Sequence, residues 1–275
     1  MNEFHTKWVD RRRIHKEVTT STNNDIRALA LQGAPEGTVV SADMQTAGKG
    51  RRGRSWESAA GTSLLFSLLL RPELKPDTAP QITLLMALAV TKVIRQSTGL
   101  DALIKWPNDV VVNSKKVCGI LTEMQLKNSA IDHVVVGSGV NVNQTSIPEE
   151  LMSSATSLLL ELYKKDSHDK EVLKTDKGVD PVFDRDELLE RILDAFEEYY
   201  ECFLRSKDLA ELMAEYNSWL VSMNKEVKVL DPKGEFTGIS KGINEKGELL
   251  VELPNGEVTA IYAGEVSVRG LYGYV

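Results

Sequence analysis

The chain has 275 residues, with 33 Lys+Arg against 40 Asp+Glu for a formal net charge of −7; 42% of residues are hydrophobic and 27% charged. That length buries a real core in one large domain or two unequal ones, and the acidic balance argues against a general nucleic-acid coat protein, whose domain is normally basic. The longest apolar run, Ile82 to Val90, falls well short of the roughly 20 residues a membrane span needs. No apolar h-region follows the cationic N-terminus, and Cys118 and Cys202 are too few and too far apart for a disulfide framework or zinc site. The expected address is the cytoplasm, with no membrane and no nucleic-acid partner.

Arg11-Arg12-Arg13 reads as a solvated flank, and about 20 residues precede Ser21. Asn23 to Gln32 carries Ile26, Leu29 and Ala30 on one helical face, with Ser21 or Thr22 as N-cap and Gly33 just past the end. Thr38 to Met44 is a strand running into a Gly/Arg-rich loop, and Thr62 to Leu70 is an apolar strand closed by Arg71-Pro72. Asp77 to Thr98 reads as a long helix ended by Gly99. Three strand-like runs follow, Leu103 to Trp106, Val110 to Val112 and Val117 to Met124. The last two are joined by a hairpin signal at Asn113-Ser114-Lys115-Lys116. His133 to Val142 is a valine-rich strand, and Tyr163 to Asp180 is polar enough to be an exposed loop. Glu187 to Arg205 has helical apolar periodicity and a second helix spans about Asp208 to Leu220. From Lys225 onward, five short β-type runs alternate with turns and suggest a small antiparallel barrel or sandwich. The expected division is an α+β domain over 1–222 and a β domain over 223–275.

Chemistry concentrates in a few segments. Gly48, Gly50 and Gly53 alternate with Lys49, Arg51, Arg52 and Arg54. Packed cations on a loop that allows close backbone approach suit a polyphosphate, although a solvated basic loop is an equal reading of composition alone. The segment formally matches G-x-G-x-x-G, but Ser55-Trp56-Glu57-Ser58 opens no convincing helix, so a dinucleotide fold is not implied. Lys105-Trp106-Pro107-Asn108-Asp109 offers a cation, an amide and a carboxylate at a strand end, since the residue before proline is extended. Lys116 precedes Val117-Cys118-Gly119-Ile120-Leu121, and Gly137 and Gly139 precede Asn141 and Asn143; glycine within a strand marks close approach by a ligand or another chain element. Ser21-Thr22-Asn23 is, by itself, simply a helix cap.

Taken in order, S-T-N, Q-T-A-G-x-G-R-x-G-R-x-W, K-W-P-N-D with K-x-x-G-I-L, and G-x-G-x-N-x-N resemble the biotin–protein ligase family, from about Val18 to Arg269. The resemblance implies a class II synthetase-like α+β catalytic domain, with mixed sheet and helices, plus a C-terminal SH3-like β-barrel. It implies ATP and Mg²⁺ as cofactors and biotin as substrate. Biotin and ATP would give biotinyl-5′-adenylate and pyrophosphate, and biotin would then pass to one lysine of a biotin carboxyl carrier domain of acetyl-CoA carboxylase or a related enzyme. By the same resemblance, Ser21, Thr22, Asn23, Gln45, Gly48, Arg51, Lys116 and Gly119 would hold biotin. Arg51, Arg54, Trp56, Asn108, Lys116, Asn141 and Asn143 would hold ATP and the adenylate. Arg51, Arg54, Lys105, Asp109 and Lys116 would carry the chemistry, with Asp109 either orienting the acceptor amine or helping to hold Mg²⁺. The short segment before Ser21 implies a monofunctional enzyme without the DNA-binding domain of the biotin repressors, and relatives occur as monomers and as sheet-paired homodimers. Lipoate–protein ligase, which shares the fold and acyl-adenylate chemistry, is the nearest alternative; an idle biotin-binding protein is another.

Overall fold

A computed structural model describes residues 6–166, 183–231, 234–262, 267–270 and 275. In chain order its elements are β1 (Arg12–Thr19), α1 (Thr22–Leu31), β2 (Thr38–Gln45), β3 (Gly48–Lys49), β4 (Ser55–Trp56), β5 (Ser63–Leu70), α2 (Gln81–Thr98), β6 (Leu103–Lys105), β7 (Asp109–Val112), β8 (Lys115–Lys127) and β9 (Ala130–Asn141). Three helices follow, α3 (Leu158–Asp166), α4 (Arg185–Ser206) and α5 (Met213–Trp219). The chain then runs through β10 (Glu226–Asp231), β11 (Gly234–Ile243), β12 (Leu249–Glu252), β13 (Val258–Ile261) and β14 (Ser267–Gly270).

Seven strands form a mixed sheet in the order β1-β2-β5-β9-β8-β7-β6. β1 and β2 run parallel and the other neighbours antiparallel. At its centre β5, SLLFSLLL, is buried at every position because both faces of the sheet are covered. Leu64, Phe66, Leu68 and Leu70 face the larger core, which they share with α2 and α4. Leu69 faces the other way, into a smaller core with Ile26 and Ala30 of α1 and Val135 of β9. α2 is apolar on nearly every side because it lies inside that larger core.

The β7–β8 and β8–β9 hairpins use left-handed pairs, Asn113-Ser114 at φ 48° and 64° and Asn128-Ser129 at φ 51° and 64°. That backbone twist matches the twist of the flanking strands. The second pair extends β9 back to Ala130, three residues earlier than its valine run suggests.

Four elements depart from the sequence reading. α2 begins at Gln81 rather than Asp77, because Pro80 restricts the residue before it and occupies the N-cap itself. α5 begins at Met213; Leu209 to Leu212 form a turn ahead of it, in which Leu212 N donates to Leu209 O at 2.9 Å, while Leu209 N donates to Glu245 O at 2.8 Å. Tyr163 to Asp166 belong to α3; residues 167–180, the rest of that expected loop, lie outside the described residues. Arg12 and Arg13 are not a loose flank but the start of edge strand β1, where the Arg13 guanidinium pairs with Asp10.

β10 to β14 form a separate five-stranded antiparallel sheet in the order β13-β12-β11-β10-β14. Its inward residues Val227, Val229, Leu249 and Val251 join the larger core. Several contacts tie it to the rest of the chain, the Leu209 N–Glu245 O bond among them. Just before the sheet begins, Val221 N donates to Ile104 O at 2.9 Å. Trp106 Nε1 donates to Gly247 O at 3.0 Å. Asn217 and the Ile243 backbone bond reciprocally at 3.2 and 2.7 Å.

Candidate active site

The site is built on a glycine floor. β8 and β9 pair Gly119 with Gly139 and Leu121 with Gly137, which clears one face of the sheet. A Cβ on Gly139 would fall 2.7 Å from the Trp56 ring, and one on Gly137 would fall 1.9 Å from Asn23 Oδ1. On Gly119 it would fall 2.8 Å from the Lys116 side chain and 3.0 Å from Trp56. All three positions therefore require glycine so that these side chains can lie flat on the strands.

Over this floor stands the hairpin of β3 and β4. Gly50 N donates to Arg54 O at 2.7 Å, and the Arg51–Gly53 turn between them is closed by Arg52 in the left-handed region at φ 60°. Arg51 comes out of it half-buried and donates to Asn108 Oδ1 at 2.9 Å. Burial, with Arg52 and Arg54 nearby, lowers the Arg51 pKa, while Asp109 works in the opposite direction; a guanidinium nevertheless stays charged. The Asn108 amide also donates to Asp109 Oδ1 and Ile120 O, each at 3.1 Å, so its orientation is set.

A hydrogen-bonded wall closes one end. Ser21 is the N-cap of α1, but its hydroxyl does not cap the helix. The Thr22 N–H and hydroxyl both donate to Gln45 Oε1, at 2.8 and 3.1 Å. Ser67 Oγ sits 2.7 Å from Thr22 Oγ1 and 2.6 Å from Asn23 Oδ1. Asn23 Nδ2 donates to Glu123 at 2.8 Å, and Glu123 is paired with Arg27 at 2.6 Å. Two buried polar atoms at the cleft, Trp56 Nε1 and Ser138 Oγ, have no hydrogen-bond partner among the described residues. Such groups carry a desolvation cost that a polar ligand would relieve.

Lys116 owes its aim to a β-bulge. Val110 pairs with Cys118 but Val111 pairs with Lys116, so Val117 is the extra residue. Val117 and Cys118 consequently both point into the larger core, and Lys116 emerges on the glycine face. Its Nζ lies 2.7 Å from Asp109 Oδ1 and 5.5 Å from the Trp56 ring centroid. Cys118 is inert packing, because burial drives its thiol pKa far up.

Two contiguous chambers result. The inner one is lined by the Ser21–Asn23 wall, Gln45 and the glycine floor. The outer one is lined by Arg52, Arg54, Lys105, Pro107 and Asp109. Gly50, Arg51, Trp56, Asn108 and Lys116 line both. An end of hydroxyls and amides, lined also by Lys49, thus leads to a cationic end, with Arg51 and Lys116 at the junction.

Comparison with known proteins decides the family. Residues 16–141 match the biotin/lipoate A/B protein ligase family and residues 223–269 the biotin protein ligase C-terminal domain. The bifunctional ligase/repressor BirA of Bacillus subtilis is 35% identical, over 93% of this chain and 73% of that protein. The biotin–[acetyl-CoA-carboxylase] ligase of Paracoccus denitrificans is 32% identical, over 92% and 98%. The chain belongs to the biotin protein ligase family. Among solved structures, the Aquifex aeolicus biotin protein ligase in complex with biotin and ATP aligns with a TM-score of 0.77 and 33% identity, over 94% of this chain and 99% of that one.

Within this biotin protein ligase fold, Ser21, Thr22, Asn23, Gln45, Arg51, Trp56, Asn108, Lys116 and Gly119 converge on the inner chamber, and Arg54, Lys105 and Asp109 on the outer. Gly48 lines neither; a Cβ there would strike Trp56 O at 2.4 Å, so it serves the hairpin that carries Trp56. Asn141 and Asn143 also line neither. Asn141 Nδ2 donates to Thr156 O and Asn143 Nδ2 to Phe183 O, each at 3.0 Å, which commits both amides to holding the chain after β9. Ser67, Glu123 and Arg27 were invisible as site residues. Ser67 carries a faint signal, a hydroxyl inside an otherwise apolar buried strand; Glu123 and Arg27 carry none.

Proposed function

We propose that the protein activates biotin with ATP to biotinyl-5′-adenylate and then transfers biotin to a lysine of a biotin carboxyl carrier domain. The observation that carries this reading is the pair of chambers meeting at Arg51 and Lys116. The biotin ureido group, with one carbonyl and two N–H groups, suits the hydroxyl and amide wall of the inner chamber. Its carboxylate would reach the junction, where the outer chamber presents the ATP phosphates.

The first step brings two anions together. A carboxylate oxygen attacks the α-phosphorus, the α–β bridging P–O bond breaks, and pyrophosphate leaves with that electron pair. Arg51 and Lys116 screen the approaching charges, while Arg54 and Lys105 face the leaving group. The indole of Trp56 shields the mixed anhydride from water. Mg²⁺ would come with ATP, held largely by phosphate oxygens and water, with Asp109 as the carboxylate at hand. In the second step the neutral lysine amine attacks the acyl carbon and AMP departs. Asp109, already bonded to Lys116 and Asn108, is placed to orient that amine.

For the acceptor, β8 supplies the docking edge. β7 pairs with β8 between Lys115 and Gly119, and on that side no described strand pairs with Leu121 to Lys127. Met124 and Leu126 are exposed there, while Leu121 reaches the inner chamber. A carrier strand would add to this edge and bring its lysine to the cleft; a second copy could pair there instead, making a homodimer and acceptor docking mutually exclusive.

The test is pyrophosphate release from ATP with biotin or lipoate as the acid, with and without an apo carrier domain. Biotin-dependent release that turns over with the carrier is expected. Release with lipoate alone would move the substrate assignment to lipoate, and no release with either acid would remove the ligase reading.

A further inference from the structure

Lys116 stands opposite Val111 of β7, beside the bulge at Val117, but its own backbone N–H and carbonyl are bonded to another segment. Lys116 N donates to Ser154 O at 2.8 Å and Lys116 O accepts from Thr156 N at 3.0 Å, a parallel bridge opposite Ala155. The segment 154–156 therefore sets where the lysine backbone lies. What sets that segment is Glu161 of α3, whose side chain is fully buried. Its Oε1 accepts from the Thr156 hydroxyl at 2.6 Å and from Lys164 at 2.5 Å. Its Oε2 accepts from Asn113 Nδ2 at 2.6 Å, and Asn113 opens the turn that leads into Lys115 and Lys116. One carboxylate thus clamps the hairpin before Lys116 to the segment that grips Lys116.

We propose that Glu161 is a positioning residue for Lys116, fixing the lysine at the junction of the two chambers through Asn113 and Thr156. The inference rests on the ligase reading for its kinetic consequence and on geometry alone for its structural one. A carboxylate accepts from all three donors at once; a glutamine amide turns a donor toward one of them and breaks the clamp.

The experiment uses the full chain carrying Glu161→Gln, Asn113→Gly, or both. Glycine keeps the left-handed turn at position 113, so that variant folds even where Glu161→Gln does not. Biotin-dependent pyrophosphate release is expected to lose about tenfold in kcat with the KM for biotin within about twofold, because binding groups stay while the reacting cation moves. The double variant falls no further than the worse single one, since both break the same link. Amide exchange of residues 113–118 is expected to speed up about tenfold while the β5 amides stay protected. Exchange that rises equally across the core would make Glu161 a stability residue and overturn the proposal, as would unchanged exchange and unchanged kcat in Asn113→Gly. If the wild-type chain releases no pyrophosphate, the ligase reading fails, and the local exchange pattern still decides the clamp.

Discussion

Single changes at Lys116 and at Gly139 perturb the cleft in different ways. Lys116→Met should leave the fold intact and lower kcat for pyrophosphate release by about 10² to 10³, the scale of losing one cation aimed at developing charge. Lys116→Arg should restore little, because a guanidinium spreads its charge over a plane and does not present one compact ammonium to Asp109 and the junction. Gly139→Ala acts differently. Its methyl meets the Trp56 ring at 2.7 Å, so the ring must lift from the floor, and the KM values for biotin and ATP should rise together. Steady-state kinetics on the three variants separates these outcomes. Glu161 carries a pH signature. Burial works to raise its carboxyl, but bonds from Lys164, Thr156 and Asn113 outweigh it and hold the pKa below the ordinary 4.5. A carboxyl depressed in the folded state stabilises above its unfolded pKa, and that contribution is lost as pH falls through the folded value. Denaturant midpoints taken from neutral to acid pH should therefore fall less steeply below 4.5 in Glu161→Gln than in the wild type.

At the scale of elements, the open edge of β8 makes a separable prediction. Met124→Glu with Leu126→Glu should leave biotin-dependent pyrophosphate release within about twofold and slow transfer to the carrier at least tenfold, since charges on an edge disfavour strand addition. Radiolabelled biotin incorporation into the apo carrier reads the second half. Loss of both half-reactions would place the docking surface elsewhere. The elements themselves were largely legible, because their signals are local: an apolar run for β5, the turn residues from Asn113 for the β7–β8 hairpin, a 3.6-residue period for α4. Where the reading erred, distant groups had overruled local preference. The turn before α5 is tied through Leu209 N to the distant Glu245 carbonyl, and the Asn141 amide is bonded to the Thr156 carbonyl. The cleft was half legible for the same reason. Residues that contact a ligand recur as motifs, whereas Ser67, Glu123 and Glu161 act through other side chains across 44, 100 and 5 positions, and no spacing rule marks such partners. The bulge at Val117 is a count of residues between strands, and it exists once the partner strand is known.

For the molecule as a whole, the two sheets share one core, and their polar seam is short. Asn217 makes two bonds to the Ile243 backbone, and Gly242, at φ 98°, lets the amide lie against it. Asn217→Ala leaves that backbone pair without its partners and should cost about 1 to 3 kcal/mol, read as a lower midpoint in chemical denaturation. If the two units instead melted separately, with the larger one unaffected, the seam would carry no stability. The other seam contact has a wider bearing. Trp106 reaches Gly247 of the small sheet, while two residues along the chain Asn108 and Asp109 stand in the cleft. The boundary between the units is thus not a place where one can be exchanged for another. A C-terminal domain grafted from a relative would have to offer the same carbonyl to the same indole, or the displaced tryptophan would carry the cleft residues with it. Recombination at the junction is therefore expected to be harsher on activity than the modest number of bonds across it suggests. The two parts should have diversified in step rather than as independent modules.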